Sequence, residues 1–234
     1  MPTIVLSLGG SILLPGIDRP NIKPYISVLK RISAKNRLFV VVGGGGTARD
    51  YISLARTFNA DEAFSDELGI MVTRLNATLL VGALGSSAYP KVVESHNEAL
   101  CAAESGKIVV MGGITPGQTT DAVAAVLAER VDASLFINLT AVDGIYSADP
   151  KKDPAAKKYE KMTAAELLKV VIGQQAVAGV NTVMDIVAVK MVERCQIPLL
   201  VMDGRDPSLL EKTLDSGSYV GTLVSPDGEN PFPL

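Results

Sequence analysis

The residues best suited to chemistry in this chain are glycines. They stand in clusters at Gly9-Gly10, Gly43 to Gly46 and Gly112-Gly113, each directly after a short apolar run. Glycine tolerates positive φ and lets a ligand come close to the backbone. A helix that follows such a loop turns free N–H groups and a positive dipole end toward an anion. One cluster would mean a tight turn, but three in equivalent places read as a site for several phosphates. Charged residues of both signs stand nearby. Arg49 lies just past the second cluster, Asp121 follows Thr119-Thr120 at a helix start, and Asp66 opens a long helical pattern. Each has a plainer reading as well. Asp121 suits a helix N-terminus on dipole grounds, Asp66 reads equally as an N-cap, and Arg49 suits a solvated helix face.

Other chemistries fit less well. The segment GGGGTA at 43–48 meets a loose dinucleotide fingerprint, which wants an acidic residue about 20 positions later at the end of a second strand. Asp61, Glu62 and Asp66 fall near that distance, but the intervening stretch reads as helix and polar loop. The pattern G-x-x-x-x-G-K-[ST] of a P-loop does not occur. Cys101 and Cys195 are the only cysteines and lie far apart, which excludes a disulfide scaffold and a cysteine zinc site. Both read as small buried apolar side chains. His96, the lone histidine, sits in a polar segment and reads as a surface residue, and no metal-ligand set is visible.

The elements that must position these residues alternate. Buried strands are expected at 3–8, 38–42, 107–111, 134–139 and 198–202, with an edge strand at 220–224. Helices are expected at 20–34, 47–58, 66–84, 119–130, 164–171 and 185–194. Such alternation implies parallel strands with helices on both faces. Strands that are apolar almost throughout suit a sheet buried on both sides. The fold class is therefore α/β: a three-layer sandwich with an open, mostly parallel sheet. In such sheets ligands bind beyond the carboxyl ends of the strands, where the glycine clusters fall. Residues 147–158 are the most polar stretch and read as a surface hairpin or lid.

The chain has 234 residues, 47% hydrophobic and 20% charged, with a formal net charge of −3. That length supports a large core. The charged share lies below the roughly 25% usual for soluble proteins, consistent with surface buried in an oligomer. No basic block provides the footprint of a nucleic-acid binder. No uninterrupted apolar run reaches the roughly 18 residues of a membrane span. The apolar stretch at 4–17 lacks an upstream cation and is broken by glycine and proline, so it does not read as a signal peptide. A cytoplasmic protein is expected.

Four segments carry a family resemblance: SLGGS at 7–11, VVVGGGGTAR at 40–49, GGITPGQTTDAVAA at 112–125 and LTAVDGIYSADPKKDP at 139–154. In this order they resemble the amino acid kinase family, and within it the uridylate kinase branch of archaeal type. Val183-Met184-Asp185, read as preceding an alanine-rich helix, adds to the likeness. The resemblance covers nearly the whole chain as one domain, 1–234, with an acceptor-nucleotide side at 1–133 and an ATP side at 134–234. It implies transfer of the γ-phosphoryl group of ATP to UMP, a need for Mg²⁺, and a homohexamer. It places Gly9, Gly10, Ser11, Gly45 and Arg49 on ATP phosphates, with Thr140, Tyr146 and Asp149 framing the adenine nucleotide. Gly44, Asp66 and the loop Ile114, Thr115, Pro116, Gly117, Gln118, Thr119 and Thr120 fall to UMP. Asp121 and Arg49 fall to catalysis, Asp121 by ordering the groups around the transferred phosphoryl. No protein side chain is assigned to the metal, which the phosphates of ATP would carry. Asp143 reads as a turn residue before Gly144, and Lys190 as a solvated helix lysine.

Many members of the family carry a lysine where this chain has Ser7, a position that varies in the archaeal branch, and Lys152 and Arg74 are the substitute cations the sequence offers. Isopentenyl phosphate kinases carry a histidine after the glycine loop, which GGGGTAR lacks. Molybdenum storage relatives need more histidines than one. Phosphoryl transfer between two anions needs charge compensation and in-line geometry rather than a strong base, since the acceptor phosphate is already ionised.

Overall fold

A computed structural model describes residues 1–16, 19–148, 150, 153–175, 184–226 and 229–232. Asp149, Lys152 and Val183, singled out in the sequence, therefore lie outside the described residues. The strands are β1 (Thr3–Leu8), β2 (Arg37–Val42), β3 (Val109–Met111), β4 (Leu135–Thr140), β5 (Ile145–Tyr146), β6 (Lys158–Tyr159), β7 (Lys161–Met162), β8 (Leu199–Asp203) and β9 (Gly221–Val224). The helices are α1 (Gly10–Leu13), α2 (Ile22–Ser33), α3 (Gly45–Thr57), α4 (Glu62–Leu84), α5 (His96–Ala103), α6 (Thr120–Arg130), α7 (Ala164–Gln175), α8 (Ile186–Cys195) and α9 (Pro207–Ser216).

The main sheet runs β3-β2-β1-β4-β8-β9-β7. The strands from β3 to β8 are mutually parallel, and β9 turns antiparallel to β8. The 220–224 strand is thus not the edge: β7 pairs outside it. Its register (Leu8 with Val42 and Leu139, Val41 with Met111) brings the ends of β1, β2, β3 and β4 to one rim. Strand order reverses at β1, with β2 on one side and β4 on the other, so a switch point opens there.

Alternation along each strand sorts the core. Ile4, Leu6 and Leu8 face Tyr25, Leu29, Leu80 and Leu210 of α2, α4 and α9. Val5 and Phe136 face Val123 and Leu127 of α6 and Val189 of α8. Tyr25 is buried and donates its hydroxyl hydrogen to the Gly204 carbonyl at 2.6 Å, tying α2 to the end of β8. Burial, with Asp203 and Asp206 nearby, raises its pKa further.

The 66–84 helix begins a turn earlier than its pattern suggests. Asp61 is the N-cap, accepting from Phe64 N–H at 2.8 Å, so Asp66 is not a cap. By length and composition α4 could cross a membrane, but here it packs on α2, α3, β2 and β3. Three residues depart from expectation, and one is Cys195, half-buried rather than buried at the end of α8. Cys101 is exposed rather than buried, because α5 turns it away from the alanines that pack inward. His96 is half-buried and bonds through Nε2 to the Val123 carbonyl at 3.1 Å, joining α5 to α6.

Candidate active site

The rim of the sheet is built by interlocking glycines. A Cβ on Gly10 would lie 2.3 Å from both the Gly43 carbonyl oxygen and the Gly45 nitrogen. Gly45 has φ of +67°, and a Cβ there would meet Gly10 and Ser11 backbone at 2.7 and 2.8 Å. The first two loops thus touch backbone to backbone, an approach open only to glycine. Helix α3 starts inside the second cluster, at Gly45, rather than after it. Gly9 N–H donates to the Leu139 carbonyl at 3.0 Å, and Gly204 N–H to that of Thr140 at 2.9 Å, which ties the ends of β1, β4 and β8 together.

Helix α4 holds the second and third glycine loops. Asn76 donates from Nδ2 to the carbonyls of Gly43 and Gly44 at 2.9 and 3.2 Å. Thr73 Oγ1 accepts from Gly113 N–H at 2.6 Å and donates to the Ile70 carbonyl. Arg74 Nε donates to the Gly113 carbonyl at 3.1 Å, while Nη1 pairs with Glu94. Arg74 thereby shapes the third glycine loop while pairing with Glu94. Asp66 Oδ2 accepts from Gly117 N–H at 2.7 Å, where Gly117 turns through a positive φ. This bond draws the exposed loop of Ile114, Thr115, Pro116, Gly117 and Gln118 toward α4. Arg49 is exposed on the first turns of α3, with its Nη2 3.9 Å from where a Gly46 Cβ would stand. It has no ion-pair partner among the described residues.

The N-termini of α6 and α8 meet at the same rim. Thr119 caps α6 by accepting from Ala122 N–H, and donates its own hydrogen to Asp185 Oδ2 at 2.7 Å. Asp185 caps α8 by accepting from Val187 N–H at 2.6 Å. Asp121, one residue past Thr120 in the first turn of α6, accepts from Ser7 Oγ at 2.6 Å. Burial pushes the Asp121 carboxyl above its ordinary value and Asp185 adds to this, while Ser7 and Asn138 pull it back.

Across the switch point, the β5–β6 hairpin carries Tyr146, which donates to Asp143 Oδ1 at 2.9 Å. Lys158 pairs with Asp143 Oδ2 at 3.0 Å. Burial pushes the Asp143 carboxyl up, and the Lys158 and Tyr146 bonds overcome it to leave the pKa lowered. Asp143 is thus more than a turn residue. Ser147 N–H bonds to the Lys157 carbonyl, so the two ends of the polar stretch pair as β5 and β6 do. Lys190 is solvated and pairs with Glu193.

The sequence thus pointed to both sides of the rim but missed their supports. Thr73 and Asn76 stand as polar interruptions in an apolar helix, a signal that was available. Asn138 lies inside an apolar strand and gave none. The absence of a strand between α3 and α4 removes the dinucleotide reading.

Residues 2–203 match the model of the amino acid kinase family. The chain is 86% identical, over its full length and 99% of the relative's, to a protein of Methanospirillum hungatei named uridylate kinase. It is 59% identical over the full length of both chains to one so named in Methanoculleus marisnigri. The crystal structure of the uridylate kinase from Archaeoglobus fulgidus superposes with a TM-score of 0.86 at 43% identity, over 95% of this chain and 100% of that one. With glycine loops gathered at one rim and likeness of this extent, the chain belongs to the amino acid kinase family, beside archaeal members named uridylate kinase.

Proposed function

We propose that the chain transfers the γ-phosphoryl group of ATP to UMP, giving ADP and UDP. The carrying observation is the convergence of the first two glycine loops at the switch point, with the third strapped to the same helix. A phosphate oxygen of UMP attacks the γ-phosphorus in line while the bond to the departing ADP oxygen breaks. The obstacle is repulsion between two anions, and it is met by fixed dipoles and cations. Gly9, Gly10, Ser11 and Gly45 present backbone amides to ATP phosphates, and Gly44 to the UMP phosphate. The exposed guanidinium of Arg49 supplies positive charge at the start of α3. Asp66 holds the UMP ribose and exchanges its Gly117 contact for it, and the 114–120 loop reads the uracil. Thr140, Tyr146 and Asp149 frame the adenine nucleotide. Asp121 orders the groups around the phosphoryl in flight.

Among the described residues, no three His, Cys, Asp or Glu side chains converge as a metal site. Mg²⁺ binds mostly through phosphates and water, with few protein ligands. That donor chemistry fits a metal that arrives on ATP and neutralises the developing charge. We assign the acceptor-nucleotide side to residues 1–133 and the ATP side to 134–234, a reading the sheet order supports with β1, β2 and β3 on one side and β4 and β8 on the other. The substrates place the enzyme in the cytoplasm. A homo-oligomer, a hexamer by family resemblance, accounts for the apolar side chains that α3 and α4 leave exposed.

The experiment is turnover with ATP and UMP, CMP or AMP, with products separated by chromatography. UDP is expected to form fastest, and only with Mg²⁺ present. A faster rate with CMP sinks the acceptor assignment, undiminished rate in excess chelator sinks the metal requirement, and nucleotide binding without UDP makes the chain a binding module.

A further inference from the structure

We infer that Asn138 is a positioning residue: with Ser7, its partner across the β1–β4 pair, it holds the Asp121 side chain in place for transfer. The inference rests on the kinase reading above and adds to it the part played by a buried neutral pair.

The sheet face that meets α6 is apolar along both central strands, with Val5 on β1 and Phe136 on β4 in the core. Two residues further along, alternation returns the chain to that face, and both strands place a polar side chain there. Ser7 and Asn138 stand directly opposite in register, only 2% and 3% exposed. An apolar pair would have completed the core at this level. Instead the Asn138 Nδ2 is buried with no hydrogen bond of ordinary geometry. A buried amide donor left so is costly, and such groups in native structures call for a reason.

Asn138 is buried, so it acts through a neighbour, and the charged group on its partner Ser7 is Asp121. The surroundings of Asp121 are contributed from each packed element. Asp185 at the start of α8 opposes its negative charge, as does burial, while the Ser7 hydroxyl from β1 and the Asn138 amide from β4 favour it. Thr119, on the approach to α6, is spent on Asp185. The two sheet residues are therefore the groups that offset burial and favour the carboxylate's charge, and Ser7 fixes one of its oxygens. Without Asn138 the carboxylate takes up a proton at higher pH and loses one side of its cage.

The test is a double-mutant cycle on the full chain with ATP and UMP, using Asn138→Leu, Asp121→Asn and both together, across pH. Asn138→Leu is expected to lower kcat about ten- to a hundredfold, with both KM values changed less than about twofold. The acid limb of its kcat profile is expected to move to higher pH. On the Asp121→Asn background the leucine substitution is expected to change the rate less than about twofold, because its route of action is already gone. An equal loss on both backgrounds, or an acid limb that stays in place, overturns the role of Asn138. Should melting show the leucine variant unfolded, Asn138→Ser takes its place in the same cycle, with a smaller coupling expected. A wild-type protein that forms no UDP overturns the kinase reading along with it, whereas active wild type with additive losses overturns the positioning role alone.

Discussion

Asp121 is held where its charge is disfavoured. Burial is the main cause of its raised pKa, and Asp185 adds to it. The sign of the linkage follows. A carboxyl whose folded-state pKa lies above its unfolded value weakens the fold as pH rises from the ordinary carboxylate range to the raised value, and the loss persists at neutrality. Asp121→Asn removes the charge while keeping an oxygen for the Ser7 hydroxyl. The melting temperature at neutral pH is therefore expected to stay level or rise, with the gain shrinking as pH falls through the carboxylate range. Turnover is expected to fall about a hundredfold or more, as when a preorganised polar group is lost from a transfer site. Calorimetry beside activity measurement separates the outcomes: a sharp fall in melting temperature, with specific activity of the folded fraction retained, would make Asp121 a structural residue.

The loops act as elements because two of them share one contact surface. Gly45→Ala puts a methyl group 2.7 Å from Gly10 backbone at a φ of +67°. Left-handed strain and overpacking together are expected to cost about 2–4 kcal/mol and to lower activity. Gly173→Ala, in α7 with open space around it, is expected to gain about 1 kcal/mol and leave activity unchanged. Denaturant melts of the two variants check the contrast, and equal stabilities would deny the interlock. The strands were legible because burial on both faces makes them continuous apolar runs, and the parallel order then forces their glycine ends to one rim. The supports were not. Asn76 and Thr73 bind loops more than thirty residues away, a pairing only the tertiary fold creates. The two-residue strands β5, β6 and β7 are too short to show a period. Helix α9 did carry a signal, with Asp206 as N-cap before Pro207.

At the scale of the whole molecule, α3 and α4 show two faces with different duties. Inward, α4 fixes two rim loops through Asp66, Thr73, Arg74 and Asn76. Outward, Tyr51, Leu54 and Phe58 of and just beyond α3, and Met71, Leu75 and Leu79 of α4, are 47–62% exposed. The spacings of three, four and eight give each helix an apolar stripe on the side away from the sheet. Stripes of this kind mark surfaces that pair rather than surfaces that stay wet. A second copy of the chain is the proposed occupant. Leu54→Arg with Leu75→Arg places charge on both stripes without touching the core, so the variant protomer is expected to fold. Sedimentation velocity is expected to show an oligomer for the wild type and a shift toward monomer for the variant. The wild-type melting temperature should rise with protein concentration, and that of the variant should not. Because α4 carries both the stripe and the loops, dissociation is also expected to raise KM for UMP more than KM for ATP. A wild type that sediments as a monomer at micromolar concentration, or a variant that assembles as the wild type does, would show that these stripes serve some other contact.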